Sequence, residues 1–360
     1  MIKQNSPKWH NLKLSRIGSS EIYALVSYYN TQEQLQNAGI DIDKFKDSAY
    51  ITAYQLYHKL KNPKLYSEPL FCDKLSQFGN RIEDYVFNLV QRKSALATYK
   101  RGSVIYNKDG GNDIKIASID IEGKANSSQI IEDCNGNKIS LADSPGFIVE
   151  CKGMSNFKAS HKDIVNIGVD YQYVFQLQYQ LYCSGFDWGK IFVVSLDNDN
   201  EWTRSAIVHM PKAKAFKYLD KNSKHYEFIY KARPEYFFLI KNALEKFQFD
   251  LKAGIEPELP HWERVFKKNY KLFYNLVQQK ALLLGGDDKV IKSNKLNSCL
   301  LDSYFSLKEK EKEVVGKLSN LGQDIRKLML DTGKACIEGK KGKIVMQSNF
   351  IKAQINKENE

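Results

Sequence analysis

The sequence is poor in cysteine motifs. Its six cysteines are scattered without a Cys-x-x-Cys or Cys/His spacing, which argues against both a zinc site and a disulfide framework. We therefore expect reduced thiols, as in a cytoplasmic protein. The phosphate-binding pattern Gly-x-x-x-x-Gly-Lys-Ser/Thr is also missing, which argues against an ATP-driven helicase.

Long apolar runs are missing as well. No run approaches the roughly 20 residues that a membrane-spanning helix needs. The first residues, MIKQNSPKWHNL, lack the apolar core of a secretory signal. These absences predict a soluble intracellular protein with no membrane partner.

Arginine is scarce although the chain is basic. The net charge is +12, and 46 of the 54 basic residues are lysine. A basic balance suits a polyanionic partner, most often nucleic acid. Lysine-rich composition also arises in AT-rich genomes and on solvated surfaces, so the charge favours nucleic acid without establishing it.

The 360 residues are enough for one large domain or two smaller ones. We assign residues 1–255 to a core domain and residues 256–360 to a mainly helical C-terminal extension. In the extension, apolar residues at spacings of three, four and seven predict a long amphipathic helix at about 301–334. The stretch KGKIVMQSNF (341–350) predicts a short strand.

The core domain is expected to have a helical first part and a β-rich middle. Helices are predicted at 19–29, with a serine N-cap, at 80–93, preceded by Gly79, and at 234–254, where Gly254 ends the helix. Strands are predicted at 103–107, 113–123 and 145–153, with a hairpin insertion at 124–144, and an antiparallel pair at 190–196 and 204–210. The segment 170–186 alternates polar and apolar residues, so both a strand and a helix fit it.

The stretch GFIVECKG (146–153) places an acid and a base in an otherwise apolar strand. Because side chains alternate faces along a strand, Glu150 and Lys152 point the same way as Ile148, while Val149 and Cys151 share the other face. A half-buried ion pair explains this pattern as well, since the chain is rich in lysine and glutamate.

The preceding strand carries another acid in an apolar setting. Asp120 lies between Ile119 and Ile121, although aspartate is depleted in strand interiors. A carboxylate beside a Glu-x-Lys strand suits Mg²⁺, which prefers oxygen ligands, and the lysine can then orient or deprotonate a metal-bound water. Glu122, two residues on and on the same face, is the competing ligand.

An aspartate followed by Glu-x-Lys resembles the pattern of the PD-(D/E)xK nucleases. Three further stretches resemble the lambda exonuclease (YqaJ-type) family of that superfamily, in the family's order: WHNLKLSRIGSSEI (9–22), GNRIEDYVFNLV (79–90) and YVFQLQYQL (173–181). The resemblance covers roughly residues 8–210. It implies an α/β fold with a restriction-endonuclease-like core, in which a central mixed β-sheet is flanked by helices, and it favours a helix for the glutamine-rich stretch.

The resemblance also implies roles for individual residues. Asp120, Glu150 and Lys152 match the family's catalytic trio of two metal ligands and a water-activating lysine. Glu83 matches a helix glutamate that supports the metal site. Gln176 matches a glutamine that helps to hold the lysine or the water.

Further positions match metal and phosphate contacts of the family. The backbone carbonyl of Cys151 occupies a position that can also face a metal. Ser20 matches the helix-start serine that contacts the terminal 5′-phosphate, and free N–H groups at a helix N-terminus favour such an anion. Lys13 matches the basic phosphate partner by strict spacing, while Arg16 matches the longer spacing of some relatives.

Two departures from the family pattern concern the aspartate. The usual Pro-Asp-Gly is replaced by Ile119-Asp120-Ile121, and the thirty residues from Asp120 to Glu150 exceed the common short hairpin. Either departure could mean an altered strand register, in which case Glu122 would replace Asp120.

The implied activity is that of a metal-dependent DNA exonuclease of the phage recombination type, which degrades duplex DNA from the 5′ end and leaves 3′ single strands. The implied cofactor is Mg²⁺, or Mn²⁺ in its place, as two ions. The implied partners are duplex DNA ends, a single-strand annealing protein and further copies of the chain, as in the family's trimers, inside a bacterial or phage-infected cell. Two alternatives remain: a structure-specific endonuclease on the same core, and a catalytically silent DNA-binding or regulatory module.

Overall fold

A computed structural model describes residues 6–45, 51–63, 73–92, 97–106, 114–125, 130–133, 135–140, 146–155, 169–198, 200–258, 290–292, 315–332, 336–339, 342–346 and 351–355. The chain forms two compact units, Met1–Glu256 and Pro257–Glu360. Among the residues with described positions, no helix is both long and apolar enough to cross a membrane.

The first unit contains helices and strands in alternation. Its described helices are α1 (Pro7–Leu14), α2 (Ile22–Tyr29), α3 (Gln32–Asn37), α4 (Ala53–Lys61), α5 (Asp73–Arg92), α6 (Tyr171–Ser184), α7 (Glu201–His209), α8 (Lys212–Asn222) and α9 (Pro234–Ala253). Its described strands are β1 (Ile17–Gly18), β2 (Ala97–Arg101), β3 (Val104–Tyr106), β4 (Lys115–Ser118), β5 (Ile121–Ala125), β6 (Ile130–Glu132), β7 (Lys138–Ser140), β8 (Gly146–Ser155), β9 (Trp188–Leu196) and β10 (Ser223–Lys231).

Five strands form a central sheet in the order β10-β9-β8-β5-β2. The pair β8–β9 is parallel, whereas the other neighbours are antiparallel, so the sheet is mixed. The parallel pair is joined through α6, because parallel neighbours need a crossover connection and usually a helix. Every residue of β9 is buried, as expected for a strand that is covered on both faces.

Helices cover both faces of this sheet. On one face, Phe147, Val149 and Cys151 pack in one core cluster with apolar side chains of α5, α7 and α8. On the other face, Ile148 packs with Leu177 and other side chains of α6. The alternation predicted for β8 is therefore confirmed, as is the α/β fold class with a central mixed sheet flanked by helices.

A smaller sheet, ordered β1-β4-β3, changes the prediction for residues 113–123. They form two strands in different sheets rather than one: β4 pairs with β1 and β3, and β5 pairs with β2 and β8. The chain turns between the sheets at Ile119 and Asp120. There the Gly102 N–H donates to the Asp120 carbonyl at 2.8 Å, and the Ile119 N–H to the Ser103 carbonyl at 3.0 Å. Asp120 thus lies at a corner between sheets.

The prediction of an antiparallel pair at 190–196 and 204–210 is wrong. Residues 204–210 belong largely to α7, whose N-cap Asn200 accepts a hydrogen bond from the Thr203 N–H at 2.8 Å. The buried apolar residue of α7 is Ile207, which packs against α5. A single buried residue among the nine of this helix suits a surface helix, and β9 pairs instead with β10.

The observed helix boundaries agree in part with those predicted from the sequence. Residues 171–184 form a helix, which settles the alternative left open for the glutamine-rich stretch, and Gly254 ends α9 with φ of 75°. The predicted serine N-cap of α2 is wrong, because Glu21 occupies that position without a side-chain cap bond. Gly79 lies inside α5 rather than before it, where an added Cβ would meet no atom within 4 Å.

The predicted hairpin insertion is confirmed. Strands β6 and β7 pair in antiparallel fashion, and Gly136 adopts a positive φ of 79° in the turn. Asp133 accepts from the N–H groups of Asn135 at 2.9 Å and Asn137 at 2.8 Å, and from the Ile229 N–H of β10 at 2.7 Å. The aspartate therefore orders the turn and attaches the hairpin to the outer strand of the central sheet.

The second unit contains more strand than the sequence indicated. Its described residues form helix α10 (Val315–Thr332) and the strands β11 (Val290–Lys292), β12 (Cys336–Gly339), β13 (Gly342–Met346) and β14 (Ile351–Ile355), in one four-stranded sheet. The helix falls within the predicted range 301–334, whose residues 301–314 lie outside the described part. The predicted strand corresponds to β13, and the other three strands were missed.

Candidate active site

Strand β8 presents Glu150 and Lys152 to helix α6. The Glu150 Oε1 atom accepts hydrogen bonds from Lys152 Nζ and from Gln176 Nε2, both at 2.6 Å. The Glu150 Oε2 atom accepts from Gln180 Nε2 at 2.6 Å. Glu150 is only 1% exposed, so a buried carboxylate is held by three donors, as a buried charge requires.

The glutamine pair follows from the period of α6. Gln176 and Gln180 are one turn apart and face the same way, toward the Glu-x-Lys strand. Gln176 Oε1 also accepts from Lys152 Nζ at 2.9 Å, and this ammonium lies 4.9 Å from the centroid of the Tyr173 ring. One amide thus positions both the acid and the base of the motif.

Gln180 was not among the predicted site residues. Besides its bond to Glu150, it donates from Nε2 to the Ser118 carbonyl at 2.8 Å, and it is fully buried. It therefore joins the end of β4 to the acid on β8. The four-residue spacing of Gln176 and Gln180 was the sequence signal that could have identified it.

Asp120 reaches β8 from the corner between the two sheets. Its Oδ2 atom accepts a hydrogen bond from the Cys151 N–H at 2.9 Å, and the residue is buried. Burial raises the pKa of Asp120 well above its ordinary value, and the negative charges of Glu150 and Glu83 raise it further, while Lys152 opposes them. Three acids therefore act on one another at this position.

Glu83 contributes the third acid from α5. Burial raises the pKa of Glu83 to about 7, and Glu150 raises it further, against the opposing charges of Arg101 and Lys152. The neighbouring Cys151 thiol is buried, and its pKa is raised by burial and then by Asp120. This thiol is therefore a poor source of thiolate, and it packs in the core rather than serving as a nucleophile.

Glu122 has different partners from Asp120. Its Oε2 atom lies 2.6 Å from Lys100 Nζ, and its Oε1 atom accepts a hydrogen bond from the Ser103 hydroxyl. The strand alternation that would place both acids on one face does not apply, because Asp120 precedes the first residue of β5. The structure thus brings Asp120, and not Glu122, into the electrostatic group with Glu150 and Glu83.

The segment before α2 holds a second group of charges. Glu21 Oε2 accepts from the Gly18 N–H at 2.8 Å, and Lys59 Nζ of α4 lies 2.7 Å from the Glu21 carboxylate and 2.9 Å from the Arg16 carbonyl. Burial lowers the pKa of Lys13, Glu21 opposes this shift, and Lys59 adds to it. Ser20 is exposed in the turn ahead of the helix. No sequence pattern indicated the role of Lys59.

This segment is connected to the acidic corner through β4. Strand β1 pairs with β4, whose chain continues to Asp120. Trp9 Nε1 donates to the Ser118 hydroxyl at 2.8 Å, and the Tyr179 hydroxyl donates to the Ile17 carbonyl at 3.0 Å. The segment that carries Lys13, Arg16 and Ser20 is therefore fixed to the end of β4 that leads into Asp120.

The donor chemistry of the corner suits a hard divalent cation. Carboxylate oxygens are the ligands that Mg²⁺ prefers, and the raised pKa values of Asp120 and Glu83 reflect burial together with repulsion that a cation would relieve. Within the described ranges, no group of three or more His, Cys, Asp or Glu side chains is placed to hold a metal ion. Mg²⁺ commonly uses one or two carboxylates with water and phosphate, so a closed protein cage is not required.

Comparisons with known proteins found no matching family profile and no matching curated protein. Among solved structures, an alkaline exonuclease from Laribacter hongkongensis, LHK-Exo, matches at 12% identity over 70% of this chain and 95% of its own, with a TM-score of 0.40. Its complex with dAMP matches at 15% identity over the same shares, with a TM-score of 0.41. A phage-related exonuclease from Haemophilus somnus 129PT matches at 14% identity over 67% and 95%, with a TM-score of 0.42. These values are too low to transfer a family or an activity to this chain.

Proposed function

We propose that the protein is a metal-dependent DNA exonuclease of the phage recombination type. The observation that carries the proposal is the contact between Lys152, Glu150 and Gln176, formed beside the buried Asp120. A lysine held 2.6 Å from one carboxylate oxygen, with further acids nearby at the sheet corner and on α5, suits hydrolysis of a phosphodiester. The resemblance of the sequence motifs to the lambda exonuclease family supports the same reaction.

Each residue of the group has a chemical task in this proposal. Asp120, Glu150 and the carbonyl of Cys151 would hold Mg²⁺, or Mn²⁺ in its place, with Glu83 supporting them. Two bound ions would neutralise the negative charge that develops on the scissile phosphate. Lys152 would orient or deprotonate the attacking water, and Gln176 keeps the lysine beside that position.

The proposed substrate is the 5′ end of duplex DNA. Ser20 is exposed ahead of α2, where the first N–H groups of a helix favour an anion, and Arg16 and Lys13 bring positive charge to the same segment. The Glu21–Lys59 pair supports this segment from α4. Digestion from a 5′ end would leave a 3′ single strand, for which a single-strand annealing protein is the proposed partner. Assembly into a homo-oligomer is part of the proposal.

The test is hydrolysis of matched linear and closed circular duplexes in Mg²⁺, with and without a 5′-phosphate. We expect degradation of linear DNA, favoured by the phosphate, and survival of the circle. Cleavage of the circle would establish the endonuclease alternative. Survival of both DNAs, with binding retained, would establish the silent DNA-binding module.

A pair of lysine variants controls this test. Lys152→Met should abolish hydrolysis, whereas Lys190→Met should retain it, because Lys190 pairs with Glu227 at 2.6 Å in the same sheet but with no site residue. Circular dichroism and thermal unfolding of both variants would verify that they fold. Full hydrolysis by folded Lys152→Met would reject the assignment.

A further inference from the structure

A group of cations lies close enough to the proposed active site for Arg101 to act on the charge of Glu83. Arg101 Nη2 bonds to Asp84 Oδ1, and Lys212 Nζ lies 2.9 Å from Asp84 Oδ2. Arg81 acts electrostatically on Lys212, as does Arg101. We call Arg81, Arg101 and Lys212, with Asp84 between them, the α5 cationic cluster.

Two members of the cluster adjoin the acids or their chain neighbours, one along the chain and one across the sheet. Asp84 follows Glu83 on α5, and Arg101 of β2 is the register partner of Ile121, which follows Asp120. Arg101 also acts on the charge of Glu83. The cluster therefore borders the acids through α5 and β2, whereas the Ser20 segment approaches them through β1 and β4.

Its cations are open to solvent and held in place. The side chains of Arg101 and Lys212 are 40% and 55% exposed, against 32% for Asp84. Arg101 stacks on Phe87, with its guanidinium carbon 4.7 Å from the ring centroid. Arg101 and Lys212 share the carboxylate of Asp84, and Arg81 adds a third positive charge close to Lys212, so the cluster carries a positive excess on an ordered, accessible surface.

We propose that the α5 cationic cluster binds backbone phosphates of the duplex that extends beyond the cleavage position. The inference rests on the proposed function. Successive phosphates of one strand advance by about 3.4 Å along the duplex axis, so DNA that places one phosphate at the acids must place others next to them. The terminal phosphate would face the Ser20 segment, and the uncut duplex would face Arg101 and Lys212.

The chemistry fits a phosphate backbone. Exposed Arg and Lys side chains that neutralise phosphates release counterions, and such contacts carry no sequence information. Asp84 would then act as an organiser that keeps Arg101 and Lys212 apart and oriented. The cluster thus makes a salt-sensitive and sequence-independent contribution to binding.

The test measures the affinity for a blunt 5′-phosphorylated duplex at several salt concentrations, in a Lys152→Met background that prevents cleavage. Lys212→Gln should reduce the slope of log K against log salt by about 1, and Arg101→Gln with Lys212→Gln by about 2. The loss should be equal for duplexes of unrelated sequence. Arg81 is left intact, because it also donates to the Val208 carbonyl at 2.8 Å and secures α5 to α7.

Lys241→Gln is the matched control. Lys241 is 62% exposed and lies 3.8 Å from Glu245 on α9, so it resembles Lys212 in exposure and pairing but belongs to the opposite helical layer. An unchanged slope in the Arg101/Lys212 double variant, or an equal change in Lys241→Gln, would overturn the assignment of this surface. Failure of the proposed function is a separate result: the chain with Lys152 intact would not hydrolyse DNA, whatever the salt slopes.

Discussion

Asp120 accepts a hydrogen bond from the backbone N–H of Cys151 at 2.9 Å, which attaches an acid from the corner between two sheets to the strand that carries Glu150 and Lys152. This contact depends on the path of the backbone through Ile119 and Asp120, and that path requires a glycine at position 102. A Cβ added to Gly102 would lie 1.3 Å from the Ile119 carbonyl oxygen and 2.8 Å from the carbonyl carbon of Asp120. The geometry of the proposed site is therefore sensitive to a residue that touches only its backbone.

Gly102→Ala should impair hydrolysis and stability together. The added methyl group has to displace Ile119 and Asp120, and overpacking of this kind costs about 1–3 kcal/mol. We expect the rate of DNA hydrolysis to fall by at least about tenfold, since misplaced catalytic groups are costly. Gly79→Ala is the control, because an added Cβ meets no atom there, and it should stabilise α5 by about 0.5–1 kcal/mol. Urea unfolding and nuclease rates measure both effects, and wild-type behaviour of Gly102→Ala would contradict the prediction.

Gln180→Ala should weaken metal-dependent activity while the fold persists. The substitution removes a donor to Glu150 and a bond to the Ser118 carbonyl. Loss of a residue that orients a metal ligand commonly reduces metal affinity or activity by about 10–100-fold. The measurements are the Mg²⁺ dependence of hydrolysis and, without DNA, Mn²⁺ binding by calorimetry.

Gln178→Ala separates this effect from general destabilisation. Gln178 is buried on the same helix but donates to the Lys231 carbonyl at 2.8 Å, away from Glu150. The Gln178→Ala substitution should lower the free energy of unfolding and leave the Mg²⁺ dependence of hydrolysis unchanged. Equal metal dependence in the two variants would show that Gln180 has a purely structural role.

The stability of the metal-free protein should fall as pH rises through the range where Glu83 titrates. The pKa of Glu83 is raised from 4.5 to about 7, so between these values the folded protein keeps a proton that the unfolded chain has lost. The free energy of unfolding should then decrease with pH by up to about 1.4 kcal/mol per pH unit for this group, and the loss is complete above pH 7.

Glu83→Gln should flatten that pH profile, whereas Glu245→Gln should not, because Glu245 is an exposed acid on α9. Urea unfolding in metal-free buffer from pH 5 to pH 8 measures the effect. A profile that keeps its full slope in Glu83→Gln would show that another group is responsible.

Asp133→Ala should destabilise the first unit by about 2–3 kcal/mol. The substitution removes the acceptor of several N–H groups, including that of Ile229 on the outer strand, and bonds to a charged group contribute about 1.5–3 kcal/mol. Glu132→Ala, in the same hairpin, removes an exposed pair with Lys138 at 3.1 Å and should cost less than about 1 kcal/mol. Chemical unfolding compares the two, and equal losses would contradict the role given to Asp133.

The sequence predicted those parts of the fold where one strong pattern decides the structure. The alternation of GFIVECKG gave the two faces of β8, because a strand buried on both sides must place Glu150 and Lys152 together. Asp120 and Glu150 were singled out because ionisable groups in apolar strands need partners, whereas Glu83 and Gln176 were indicated by the family resemblance alone. The helix that carries Gln176 was indicated by the family resemblance as much as by its own period.

Other parts depend on contacts between distant segments. The corner at Asp120 is held by backbone hydrogen bonds to Gly102 and Ser103. The residue types at these two positions do not predict such bonds. Lys59 joins Glu21 from α4, a partner that lies 38 positions away. Residues 204–210 read as a strand because three apolar residues follow one another, but packing of Ile207 against α5 selects a helix. Tertiary contacts override local preference in each case.

The three donors around Glu150 have a thermodynamic consequence. A side chain held by Lys152, Gln176 and Gln180 has given up its rotational freedom when the chain folds, before any ligand arrives. Ordering a long side chain costs up to about 2 kcal/mol, and at Glu150 that cost falls on folding rather than on ligand binding. A ligand that contacts Glu150 would therefore bind more tightly, at the expense of the stability of the free protein. If the glutamines held Glu150 less firmly, the entropy would be lost on ligand binding instead.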